Sequence, residues 1–380
     1  MSDAIGPPRR KRLSWESRCE IVAKVRLQGV SPEVAAATSG VHRSTVYRLL
    51  ARYDQGGWGG LVDRRPVPVR QPRRLSEDVE ARILNARAAA ERSLGWLVDT
   101  QNESGSWGTG ALDGLLEYGF SVESYYDWQV AACALAVMAL AEADETPARR
   151  TALERGARWL VETRLPGRGN DWDVDYTWPA LYGLVACVRL AEDARFAPEP
   201  WRELVRARGG AFLEILLRNQ APDGGWAYYD DPPFARRPHW STSFCTALVL
   251  PALERSQALG WGPEPAVLER AVRYVRRCAL PNGAYEYDLN PVPRISGGEH
   301  INDVKGSLGR IQVCNWSLAS VGEPHVTPDR LREGLEAFFA EHRFLDVARL
   351  RPIPHEAYYA NAGYFYFFAH YYAAQAINLL

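Results

Sequence analysis

Four groups of residues in this chain have types and spacings that could do chemistry. Asp173 and Asp175 stand two apart, immediately before the apolar stretch that starts at Trp178. Read from the residues alone, acids at that place cap a helix and favour the positive end of its dipole. His300 with Asp303, and His355 with Glu356, are polar pairs in loop-like segments and are expected in turns or at the surface. The six cysteines, Cys19, Cys133, Cys187, Cys245, Cys278 and Cys314, include no C-x-x-C pair, and most fall in apolar helical stretches. They read as reduced, buried thiols of a cytoplasmic protein and not as a disulfide framework. The fourth group is cationic: Arg9, Arg10, Lys11 and Arg12 near the start, and Arg64, Arg65, Arg70, Arg73 and Arg74 further on. Side chains of that kind neutralise phosphates.

Charge divides the chain in two. Residues 1–75 carry 15 Lys/Arg and 6 Asp/Glu, whereas the remainder carries an acidic excess that brings the formal net charge to −1. A basic front and an acidic body imply two modules with different partners. The opening "GPPRRKR" is polar and then basic, which is not the pattern of a signal peptide. The expected organisation is a helix-turn-helix domain over 1–62, a basic Pro/Arg linker over 63–78, and an all-helical body over 79–380.

The elements that must position these groups are helical throughout. In the front, Ser14 is a candidate N-cap with Ile21 and Val25 on one face of the helix that follows. Ser31-Pro32 supplies a cap and then Pro at the first helical position. Ser39-Gly40-Val41 gives a tight turn before the third helix, His42 to Tyr53. Ala36, Gly40, Val46 and Leu49 have helix-turn-helix spacing: a small residue where two helices approach, Gly in the turn, and two apolar anchors.

The body repeats. Helices anchored by Trp96, Trp159, Ile215 and Tyr274 recur at intervals of 63, 56 and 59 residues, with a weaker fifth copy near Phe338. Each of the first four is followed by a Gly-rich turn and then by a more apolar helix. The repeating unit is therefore an amphipathic outer helix, a turn, and an inner helix buried on most sides. Closing about five such hairpins into a ring, an α/α toroid, would pack the inner helices around a centre. The last inner segment, Tyr358 to Leu380, has no Asp, Glu, Lys or Arg. Its Tyr, Asn, His and Gln content argues for a buried helix and against a transmembrane one.

Two resemblances follow from these motifs. "GVSPEVAAATSGVHRSTVYRLLARYDQGGWGGLVDRRPVPVR" resembles the N-terminal helix-turn-helix of insertion-sequence transposases and homeodomain-like regulators. That resemblance implies binding to double-stranded DNA, with Arg43, Ser44, Thr45, Tyr47 and Arg48 on the helix that enters the major groove. The body carries no run of strand-period segments, so the α/β catalytic core of a transposase is not expected.

The Gln-to-Trp stretches, "QNESGSW" (Gln101, Trp107) and "QAPDGGW" (Gln220, Trp226), resemble the repeats of squalene cyclases, in the superfamily of terpenoid cyclases and protein prenyltransferases. In such turns Gln bonds backbone groups while Trp packs over the next helix, a device for stability and not for chemistry. Ser241, Thr242, Thr246 and Ala247 fit the helix start of that family, with Cys245 where the family has Gln. The resemblance implies an apolar, isoprenoid-like ligand in the toroid. It also implies acid-initiated cyclisation if the toroid is catalytic, with Asp173 and Asp175 matching two acids of the cyclase motif and Asp175 as proton donor. The motif departs at Tyr176 and Trp178. The zinc site of prenyltransferases is incomplete here, because Ser243 and Ala360 stand at two ligand positions and leave Cys245 alone; no metal or cofactor is expected.

Overall fold

The computed structural model describes residues 13–62, 77–108, 121–168, 175–228, 240–289, 300–349 and 359–380. It is all-α. Fourteen α-helices form among the described residues, and the only β-type pairings there are two isolated antiparallel bridges, Trp226 with Thr242 and Ala279 with Tyr285. The chain divides into two compact units, Met1–Ser76 and Glu77–Leu380.

The first unit is a helix-turn-helix of three helices, α1 (Trp15–Arg26), α2 (Pro32–Thr38) and α3 (Arg43–Gly56), followed by a 3-10 turn at Gly57–Leu61. Local chemistry sets the boundaries. Ser14 accepts from the Ser17 N–H at 3.2 Å, and Ser31 accepts from the Val34 N–H at 3.4 Å with Pro32 beside it. Gly40 takes φ +62° in the turn, a conformation costly for residues with a Cβ. Ile21, Val22, Ala36, Val46, Leu49, Leu50 and Leu61 form the core. Arg18 is buried beside it and donates to the carbonyls of Leu61 at 2.9 Å and Leu13 at 2.6 Å, tying both ends of the unit to α1.

The second unit opens with α4 (Glu77–Asp99), two residues inside the stretch read as linker. It continues with α5 (Val122–Glu142), α6 (Pro147–Glu162), α7 (Trp178–Glu192), α8 (Trp201–Asn219), α9 (Ser243–Ala258) and α10 (Pro265–Arg277). It ends with α11 (Leu308–Ser320), α12 (Pro328–Glu341), α13 (Arg343–Arg349) and α14 (Gly363–Asn378). The apolar helices α5, α7, α9, α11 and α14 pack each against the next. The amphipathic helices α6, α8, α10 and α12 lie against α5, α7, α9 and α11 respectively. The last apolar helix also reaches back along the series. Phe365 and Phe368 of α14 meet the Phe244 ring of α9 at 5.4 and 6.0 Å. No described helix is long and apolar enough to cross a membrane.

The Gln-to-Trp turns are built alike in two places. Gln101 donates to the carbonyls of Gly105 (2.9 Å) and Ala152 (2.8 Å). Gln220 does the same to Gly224 (2.8 Å) and Val267 (3.0 Å). Trp107 and Trp226 each donate the indole N–H, at 2.7 Å, to a carbonyl ten residues earlier, Leu97 and Leu216. Gly105 (φ +95°) and Gly224 (φ +106°) bring the turn so near the next outer helix that a Cβ would stand 2.5 Å from the carbonyl oxygens of Arg155 and Arg270. Each turn therefore staples one hairpin to the next through backbone acceptors, while a buried indole fills the joint.

Candidate functional site

In the first unit, α3 presents Arg43, Ser44, Tyr47 and Arg48 as exposed residues, with Thr45 half-buried. The helical period puts Val46, Leu49 and Leu50 into the core and leaves this polar face outward. His42 caps the helix, its Nδ1 accepting from the Ser44 N–H at 3.3 Å. Arg48 folds along its own helix towards the Ser44 carbonyl (3.3 Å) and the Thr45 hydroxyl (3.4 Å), a loose arrangement that an outside acceptor can replace. Sequence reasoning missed one participant, Glu33 at the start of α2. The Tyr47 hydroxyl donates to its Oε1 at 2.8 Å. Its own backbone N–H, and then Tyr47, hold the Glu33 carboxyl below its ordinary range, and the bond raises the Tyr47 hydroxyl in turn. A carboxylate thus shares the face with two arginines. The clusters Arg9–Arg12 and Arg64–Arg74 lie outside the described residues.

In the second unit the site residue is Asp175; Asp173 lies outside the described residues. Asp175 adopts φ +65°, a left-handed conformation that Asp tolerates better than most residues. Its carboxylate does not cap α7. Instead Oδ2 accepts the Trp128 indole N–H from α5 at 2.9 Å, and burial pushes its pKa up to about 6 against the lowering effect of that bond. The turn is held by Thr177, whose N–H donates to the Tyr228 carbonyl (3.3 Å) and whose hydroxyl donates to the Ala227 carbonyl (2.7 Å). Sequence reasoning missed Trp128, whose indole meets a partner 47 residues away.

Aromatic rings crowd this interior. Trp178 stacks on Tyr182 at 5.7 Å and on Tyr228 at 6.1 Å, Phe244 meets Tyr287 at 5.3 Å, and the Tyr228 and Tyr287 hydroxyls bond at 2.9 Å. Tyr364 at the start of α14 is 53% exposed, yet burial raises its hydroxyl to about 12, with the nearby Asp175 charge adding to the rise. Arg310 of α11 is fully buried, donates to the carbonyls of Tyr285 (3.1 Å) and Ile301, and lies 5.5 Å from the Tyr287 ring. Burial lowers it to about 10, so it stays cationic near neutral pH. The interior combines aromatic faces with the acids Asp175 and Asp127 and the cation Arg310.

The other candidates resolve into structural roles. His300 and Asp303 form a turn: the His300 N–H donates to Asp303 Oδ2 at 2.8 Å, and the His300 ring accepts from Asn302 N–H at 3.0 Å. His355 and Glu356 lie outside the described residues. Cys245 is buried, and burial drives its thiol well above the ordinary range, which keeps it protonated.

Residues 18–81 match the winged helix-turn-helix family. That region covers the helix-turn-helix of the first unit and the opening residues of the second. Comparison with curated proteins gives no match.

Proposed function

We propose that this chain is a DNA-binding protein of the helix-turn-helix type whose helical body is a ligand- or partner-binding module. One observation carries the reading. Within a region that matches the winged helix-turn-helix family, α3 turns Arg43, Ser44, Tyr47 and Arg48 to solvent over a small core that needs none of them. In this reading α3 enters the major groove, its N-terminal residues face base edges, and the basic segments on either side neutralise phosphates. In this reading the DNA-binding module is residues 1–62, and the body begins with α4 at Glu77. Six free thiols suit a reducing, cytoplasmic setting.

The test is duplex binding as a function of salt. The proposal expects log affinity to fall linearly with log salt, and a slope shallower by about one for each phosphate-contacting arginine replaced by Ala. Failure to bind duplex DNA at low salt contradicts it.

A second reading concerns the body, and Asp175 favours it. A carboxyl group poised near pH 6 beside stacked aromatic rings has what acid-initiated cyclisation of an isoprenoid requires: a proton to give an alkene, and ring faces to stabilise the resulting cation. The inner helices would then close into the toroid of the terpenoid-cyclase superfamily. Asp175→Asn tests it. Loss of turnover of an isoprenoid substrate with an intact fold supports a proton donor, and unchanged turnover excludes one.

A further inference from the structure

Away from both sites, two imidazoles meet where α12, α13 and α14 come together. His342 follows the last residue of α12, and His370 projects from α14. Their Nε2 atoms are 2.9 Å apart. The opposite ring nitrogen of each is already engaged by an acceptor: His342 Nδ1 lies 2.9 Å from Asp346 Oδ2, and His370 Nδ1 lies 2.6 Å from the Tyr366 carbonyl. A carboxylate and a carbonyl can only accept, so both Nδ1 atoms donate and carry the ring proton. Both Nε2 atoms of the neutral rings are then bare and only 2.9 Å apart. That arrangement repels unless a cation lies between them.

We propose that His342 and His370 bind a divalent transition-metal ion through their two Nε2 atoms. The Nδ1 partners are the outer-shell acceptors that metal-bound histidines use to fix ring orientation and raise basicity. Geometry selects among ions. With metal–nitrogen bonds of about 2.0 Å, a nitrogen separation of 2.9 Å sets an angle of about 90° at the metal, the cis angle of tetragonal coordination and well below the tetrahedral value. Copper(II) and nickel(II) fit that angle better than zinc. Among the described residues no group of three or more His, Cys, Asp or Glu side chains is placed to hold a metal, so water completes the coordination. The pair is partly open to solvent, with the His342 side chain 26% exposed, which leaves room for those waters. The Phe338 ring packs edge-on against both imidazoles, at 5.1 Å from His370 and 5.3 Å from His342, and keeps the two rings from swinging apart. Asp346 supplies the nearby negative charge, while Arg349 is turned over the Tyr366 ring at 4.9 Å.

The experiment titrates copper(II) chloride, and separately nickel(II) chloride, into the full-length, tag-free chain by calorimetry. The expected result is one ion per chain. His342→Gln and His370→Gln should each weaken that event at least 100-fold, Asp346→Asn should weaken it about 10-fold, and exposed His325→Gln should leave it unchanged. To separate lost ligation from lost folding, the wild-type chain carrying ¹⁵N-histidine is loaded with copper(II) and read by electron paramagnetic resonance, where two imidazole nitrogens must couple to the metal. Sub-stoichiometric binding by the wild type, a spectrum with one or no imidazole nitrogen, or binding that survives the double His342→Gln/His370→Gln substitution would overturn the proposal and leave a proton as the only bridge.

Discussion

Glu33 in the first unit and Asp175 in the second each accept a hydrogen bond from an aromatic side chain, and their pKa values move in opposite directions. Glu33 takes the Tyr47 hydroxyl on the open face of the helix-turn-helix, and its pKa falls. Asp175 takes the Trp128 indole N–H inside the helical body, and its pKa rises to about 6. The donors are similar; the surroundings are not. Water and the N-terminus of α2 favour the Glu33 charge, whereas loss of water around Asp175 outweighs its single donor. The first unit therefore offers fixed charge on a surface, the means of meeting a polyanion. The second holds a carboxyl group that burial keeps protonated up to about pH 6.

The sharpest way to break this contrast is to remove a buried staple of the body. Trp226→Ala takes away a fully buried indole and its bond to the Leu216 carbonyl. It should destabilise the second unit by about 3–5 kcal/mol in denaturant unfolding. A loss below about 1 kcal/mol would mean that the turns do not hold the hairpins together.

Next in size is the charge of Asp175. Its folded value of about 6 exceeds the ordinary 3.8, so the native state binds the extra proton and stability falls as pH rises between those values. Above pH 6 the cost is fully present. Asp175→Asn should raise stability at pH 7 by about 2–3 kcal/mol and flatten the decline between pH 4 and 6, as measured by melting across pH. An unchanged pH profile would place Asp175 in water.

A smaller effect is expected at Ala360. It adopts φ +53°, three residues before the first residue of α14, as Asp175 does three residues before that of α7. Ala gains nothing from that conformation, so Ala360→Gly should stabilise by about 0.5–1 kcal/mol, and a loss of stability would contradict the strain.

Much of this was legible in the sequence because it is local. Ser14, Ser31 and Gly40 punctuate the first unit as their types require, and Gln101–Trp107 and Gln220–Trp226 announce turns whose hydrogen bonds close within a few residues or onto the next helix. What the sequence concealed depends on distant partners. Trp128 and Asp175 are 47 residues apart, His342 and His370 are 28 apart, and Glu33 meets Tyr47 across the turn. No period or motif records such encounters; they follow from which helix faces meet. Asp175 reads as a helix cap by position, but its left-handed backbone turns the carboxylate towards α5 and away from the first N–H groups of α7.

The smallest change in stability belongs to the surface where the largest change in binding is expected. Arg43→Ala with Arg48→Ala should alter folding by no more than about 0.5 kcal/mol, since neither side chain enters the core. The decisive measurement is fluorescence anisotropy of duplex DNA against the full-length chain and this double variant, from about 50 to 200 mM salt. The account predicts steeply salt-dependent binding by the wild type, with weaker affinity and a log–log slope shallower by about one to two for the variant. Equal affinity and equal slope for the two proteins would contradict it.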